Sequence, residues 1–152
     1  MTDAEAIRAF WYAEGRDTYR PTWFQKNDQF DAEIRVRFGA LIRPAREGVF
    51  DSWADSPEGA LSLLILLDQF PRNIFRGSAD AFTSDTHARP NARAVVLEKR
   101  FDFQLGPYEK PLLYLTFEHS EAKADQDVSV ALFEGLRDIP DHVLGKGAID
   151  YA

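Results

Sequence analysis

One segment constrains this chain more than any other. Ser56-Pro57-Glu58 is a helix start: Ser56 can cap, Pro57 fits the first helical position, and Glu58 suits the positive end. The pattern then predicts a helix from Gly59 to about Phe70, with Pro71 ending it. Within it Leu61, Leu63, Leu64, Ile65, Leu66 and Leu67 cover nearly every direction around the axis. A helix that is apolar all round must be surrounded, so it belongs at the centre of the fold. The apolar stretch Ala60–Leu67, broken only by Ser62, is far shorter than the ~20 residues that cross a bilayer. The rest of the chain must therefore supply walls. With 152 residues, 45% of them hydrophobic, it has the material. A domain of this length buries roughly 70% of the surface its unfolded chain exposes. One domain over 1–152 is expected, and disorder is excluded for most of it.

The walls read as helices. Thr2 and Glu5 have capping-box spacing, so a short helix should follow through Phe10, Trp11 and Tyr12 and end near Gly15. Residues 16–27 read as a loop, pinned by Tyr19, Trp23 and Phe24. From Asp28 to Arg46, Phe30, Ile34, Phe38, Leu41, Ile42 and Ala45 recur at three- and four-residue steps. Acids open this helix and Arg43 and Arg46 close it, as the dipole favours. Pro44 should kink or shorten its last turn. A further helix runs to Arg100 from about Ser84 or Asn91, its start blurred by Pro90. Residues 108–118 are helical with Pro111 in the first turn. A last helix is expected from Glu121 to Leu136, with Ser120 as its cap and Ala124, Val128, Ala131, Leu132 and Leu136 as its stripe. Val49-Phe50 and Val95-Val96 are too short for strands. About six helices on short connections predict an all-α domain of stacked antiparallel helical hairpins.

Charge and composition exclude several roles. Eighteen basic against 25 acidic residues give a formal charge of −7. Such a chain lacks the basic footprint of a nucleic-acid binder. More than half of that charge lies in 118–150, with eight acids against three bases. This reads as a solvated face, although it could meet a basic partner. Without cysteine there is no disulfide, thiolate metal site or cysteine nucleophile. The acidic first residues do not form a secretory leader. A cytoplasmic protein without membrane or nucleic-acid partners is the expectation.

Several motifs converge on a known pattern. They are Leu63-Leu64-Ile65-Leu66-Leu67-Asp68-Gln69-Phe70-Pro71-Arg72-Asn73-Ile74-Phe75-Arg76-Gly77, Phe10-Trp11, Trp23-Phe24, Phe30-Asp31, and Phe117-Glu118-His119-Ser120-Glu121 with Asp125-Gln126. Together, over about residues 7–136, they resemble the bacterial "domain of unknown function" family numbered 924. The resemblance implies a right-handed array similar to tetratricopeptide repeats, without a repeat consensus. It implies no activity. Members of that family continue with a further helix and a Gly-Arg-Phe-Pro-His-Arg-Asn motif, whereas this chain stops at Tyr151-Ala152. It is expected to be a shortened member or a fragment. Arg89-Pro90-Asn91 is a second departure, inside what the family keeps as an ordinary helix.

Two polar groups could carry chemistry. Asp68 closes the most apolar helix, where its charge opposes the dipole and needs a partner such as Arg72 or Arg76. Either it forms a buried ion pair that locks the Pro71 turn, or Asp68, Arg72 and Asn73 line a polar pocket. In that pocket Arg72 could hold a carboxylate or phosphate. The second group is Glu118, His119, Glu121 and Asp125. At 100° per residue, Glu121 and Asp125 fall about 60° and about 100° from Ala124, beside Val128 at about 40° and Leu132 at about 80°. Both carboxylates thus flank the apolar face. Beside a histidine they could transfer protons or bind a cation, or simply satisfy a helix start and a loop. No cofactor is expected, because no two-histidine spacing or glycine-rich phosphate loop is present. His87 and His142 read as isolated and exposed.

Two functions remain open, and the first is the expected one. One is a module binding a protein, a peptide or a second copy of itself, motivated by Trp11, Tyr12, Tyr19, Trp23 and Phe24 as a groove lining, although core is the simpler reading of those rings. The other is a small-ligand site or enzyme built from Asp68, Arg72, Asn73, Glu118, His119 and Glu121. The latter requires Asp68 and His119 to meet.

Overall fold

In a computed structural model of the protein, residues 1–136 are described. Seven α-helices occur among them: α1 (Asp3–Trp11), α2 (Asp28–Arg46), α3 (Pro57–Leu64), α4 (Phe70–Ile74), α5 (Asp85–Ala92), α6 (Lys110–Glu118) and α7 (Lys123–Glu134). A π-helical turn, Ile65–Gln69, joins α3 to α4, and a second, Arg93–Glu98, extends α5. The result is six helical rods with no strand among the described residues. The all-α expectation holds, and the arrangement is compatible with stacked hairpins. None of the described helices is long and apolar enough to cross a membrane.

The α3–π–α4 rod is the centre of the molecule. Leu61, Leu63, Leu64, Ile65, Leu66, Leu67 and Phe70 are each at most 1% exposed. The rod packs against α1, α2, α5 and α6. Its start follows the sequence signal, since Ser56 accepts from the Gly59 amide at 3.1 Å and Pro57 opens the first turn. Gly59 is required there, because a Cβ would lie 2.1 Å from the Trp53 carbonyl oxygen.

Its end departs from expectation. Pro71 does not stop the rod, which continues to Ile74. The π turn explains why. The Phe70 amide bonds back to the Ile65 carbonyl, a five-residue step that widens the helix where a proline ring would collide with the preceding turn. One extra residue in the turn also rotates α4 by about 100° relative to an unbroken α-helix. The π turn carries Asp68, and α4 just beyond it carries Arg72 and Asn73.

Elsewhere the match varies. The Thr2–Glu5 capping box forms, and α1 ends at Trp11, short of Gly15. Helix α2 has the predicted limits, with Asn27 capping Phe30, and Pro44 does not truncate it. Helix α5 starts at Asp85, so Pro90 lies inside it. Helix α7 starts at Lys123, two residues later than expected, leaving Glu121 outside it. Its buried face is Asp125, Ser129 and Phe133, rotated from the expected stripe. The early aromatics are mostly core. Trp23 stacks on Trp11 with centroids 5.8 Å apart and donates its indole N–H to the Trp11 carbonyl at 2.8 Å, while Phe24 alone is 40% exposed. His142 and the chain end lie outside the described residues.

Candidate functional site

Asp68 and His119 meet. His119 closes α6, with its amide bonded to the Leu115 carbonyl, and its Nδ1 lies 2.9 Å from Asp68 Oδ1. Asp68 is completely buried. It also accepts from Arg72 at 3.0 Å and from the Gln69 amide at 3.1 Å. Burial alone would push its carboxyl upward. The His119 and Arg72 charges and the hydrogen bonds outweigh that and hold it below the ordinary carboxylate range. An ionised carboxylate only accepts, so His119 Nδ1–H is the donor. In the neutral form of the ring, Nε2 is the lone-pair acceptor, and that atom has no hydrogen bond among the described residues.

Arg72 links this pair to α5. Its two terminal nitrogens each donate to Asp85 at 2.9 Å, and one also reaches the Asp68 carbonyl at 2.7 Å. The forked geometry is the strong form of an arginine–carboxylate contact. It clamps the π turn to the first turn of α5. The Arg72 guanidinium also lies 5.3 Å from the centre of the Phe82 ring.

These groups surround an open pocket of about 350 Å³, lined by Arg72, Phe82, Asp85, Arg89, His119 and Glu121. Its volume is within the range of small-molecule sites. Glu121 stands exposed in the α6–α7 connection at its rim. Glu118 is adjacent in sequence but outside the lining. Its Oε2 is buried without a hydrogen-bond partner among the described residues. Burial pushes its carboxyl above the ordinary glutamate range; His119 opposes this and the Asp68 charge adds to it.

The other candidates sit in separate clusters. Asn73 faces away from the pocket and donates to Asp31 of α2 at 3.0 Å, beside Arg76 Nε at 2.6 Å. Arg76 is therefore the partner of Asp31, not of Asp68. Asp125 braces the end of α6. It accepts from Ser120 at 2.6 Å and from Arg93 at 2.7 Å. Gln126 reinforces the same turn by donating to the carbonyls of Glu118 and Ser120. His87 is not isolated: its Nε2 lies 2.7 Å from Asp51. Among the described residues, no group of three or more His, Asp or Glu side chains could hold a metal ion.

Phe82, Asp85 and Arg89 are site residues that the sequence motifs do not single out. One signal exists for two of them, because Asp85 and Arg89 stand four residues apart and so share one face of a helix.

Comparison with known proteins agrees with the fold. The family model described as "Bacterial protein of unknown function (DUF924)" matches residues 7–152. A solved structure of a protein of unknown function from Agrobacterium tumefaciens superposes with a TM-score of 0.82 at 32% identity, covering 97% of this chain and 80% of that one. No curated protein matches significantly.

Proposed function

We propose, from the premise that this chain belongs to the DUF924 family of bacterial proteins, that it binds a small polar molecule and exchanges a proton with it. His119 Nε2 takes the proton from an O–H, N–H or acidic C–H of the ligand, whose electron pair stays behind. Asp68 is the positioning residue: it fixes the ring and stabilises the imidazolium that forms, while remaining ionised itself. A positioned base of this kind contributes roughly 10²–10⁴ in rate. The observation that carries this reading is the 2.9 Å Asp68–His119 contact at the wall of a pocket.

The competing reading, a protein- or peptide-binding module, drew on the early aromatics as a groove. Trp11, Tyr12 and Trp23 are at most 9% exposed, so that motive weakens. We therefore favour the small-ligand site. A thermal-shift panel of small carboxylic acids, phosphate esters, amines and sugars tests it, since a ligand of the native state raises the unfolding temperature. At least one class should stabilise the wild type and not His119→Gln. A flat response across the panel contradicts the reading.

A further inference from the structure

We infer that the pocket's ligand is an oxyanion, a carboxylate or a phosphate ester, carried on an apolar body that lies on Phe82, and that Arg89 is the residue that holds it. This rests on the small-ligand reading above and specifies its substrate class.

Three cationic or potentially cationic side chains line the pocket, Arg72, Arg89 and His119, and they differ in how far they are already committed. Arg72 is spent, since both its terminal nitrogens are bound to Asp85 and one of them also to Asp68. His119 uses Nδ1 on Asp68. The Arg89 side chain makes no hydrogen bond or ion pair among the described residues, and its Nε is buried there without an acceptor. A guanidinium has five donors in a planar fork, and a half-buried one without a partner is costly.

The usual intramolecular partners are already taken. Asp85 stands one turn earlier on α5, where an i,i+4 pair with Arg89 would ordinarily form. Both its oxygens are held by Arg72. Asp125 feels the Arg89 charge, yet its oxygens go to Arg93 and Ser120. The fold thus fixes a cation at the pocket wall and directs the Asp85 and Asp125 carboxylates elsewhere. A carboxylate or phosphate fits such a fork with two parallel hydrogen bonds.

Phe82 supplies the other half. Its ring is 59% exposed although it lines the pocket and sits beneath the Arg72 guanidinium. An aromatic held at a pocket wall offers a face for an apolar or aryl group. The oxyanion on Arg89 and the body on Phe82 would leave the ligand within the pocket that His119 also lines.

Isothermal titration of the full chain with benzoate, phenyl phosphate, inorganic phosphate and uncharged benzamide tests the proposal, with His119 ring resonances followed by NMR in parallel. Benzoate or phenyl phosphate should bind, and benzamide should bind at least about tenfold more weakly, the loss expected when a charged fork goes unused. The tighter of the two aryl anions identifies the head group. Arg89→Gln should lose at least about tenfold in affinity for that anion while its unfolding temperature stays at or above that of the wild type. Glu121→Gln, which removes a like charge from the rim, should tighten binding. Benzamide equal to benzoate, inorganic phosphate equal to phenyl phosphate, or unchanged binding by Arg89→Gln would each overturn it. If benzamide shifts the His119 resonances and neither anion does, the oxyanion is wrong and the small-ligand site stands. If no probe binds or shifts them, and the wider thermal-shift panel is flat, both fall.

Discussion

Asp31 and Asp68 are the same residue type in nearly the same situation. Each is buried, and each is held by an arginine of the central rod or its extension, Arg76 for Asp31 and Arg72 for Asp68. Each has an amide as a further partner, Asn73 in one case and Gln69 in the other. The Asp31 cluster ties α2 to α4 and is complete within itself. The Asp68 cluster adds a histidine, opens on a pocket, and stands beside an arginine whose side chain has no hydrogen-bond or ion-pair partner among the described residues. A buried carboxylate–arginine pair is therefore weak evidence for function. What distinguishes a site is the capacity left over once the structural bonds are counted.

The largest effect should come from loss of Asp68. Asp68→Ala leaves His119 and Arg72 without their common acceptor, and should destabilise the protein by about 2–4 kcal/mol. A urea midpoint equal to wild type would show that the cluster contributes nothing. Asp31→Ala should cost about 1–3 kcal/mol, from lost charged hydrogen bonds. The comparison sharpens if Asp31→Ala leaves the His119 resonances in place, and breaks if it moves them as Asp68→Ala does.

Acid offers a third test. Asp68 has its folded value below the unfolded one, so the folded state binds fewer protons between the two. Its contribution is complete above the unfolded value, near about 3.9, and is lost as the pH falls through the folded value. The stability gap between wild type and Asp68→Asn should be constant at neutral pH and shrink below about pH 4. A gap that instead widens in acid would reverse the assignment.

The smallest effect has the opposite sign. Glu118 has a raised folded value, so its ionisation costs stability as the pH rises through the window above about 4.3. Glu118→Gln should stabilise at pH 7 by less than about 1 kcal/mol, and the gain should vanish below about pH 4. Destabilisation at pH 7 would mean that the carboxylate has a structural partner.

Much of the fold is legible in the sequence because helices announce themselves locally. The Ser56-Pro57 start, the apolar 60–67 run broken only by Ser62, and the α2 stripe carry caps and periods that a single segment contains. The errors fall where geometry is set by another element. Pro71 reads as a stop because its ring clashes with a regular α-helical turn, whereas the π turn ahead of it makes room. Helix α7 rotates to bury Phe133 and to place Asp125 against Ser120 and Arg93, a choice made by α6 and the π extension of α5. In the site, Asp68, Arg72 and His119 are all candidates from sequence, and the structure joins them. Adjacency groups Asn73 with Arg72, yet neighbours on a helix point about 100° apart. Arg89 stands out in the sequence only as part of an irregular Arg-Pro-Asn stretch. Its meaning depends on Asp85 being claimed by Arg72, which no spacing rule reveals.

The most direct test of the account is the tautomer of His119. Long-range proton–nitrogen NMR of the wild type, with the ring in its neutral form, should show Nδ1 carrying the proton and Nε2 bare, with Asp68→Asn altering both signals. A proton on Nε2 in the wild type, or an Asp68→Asn spectrum indistinguishable from it, would contradict the claim that Asp68 sets His119 to work at the pocket.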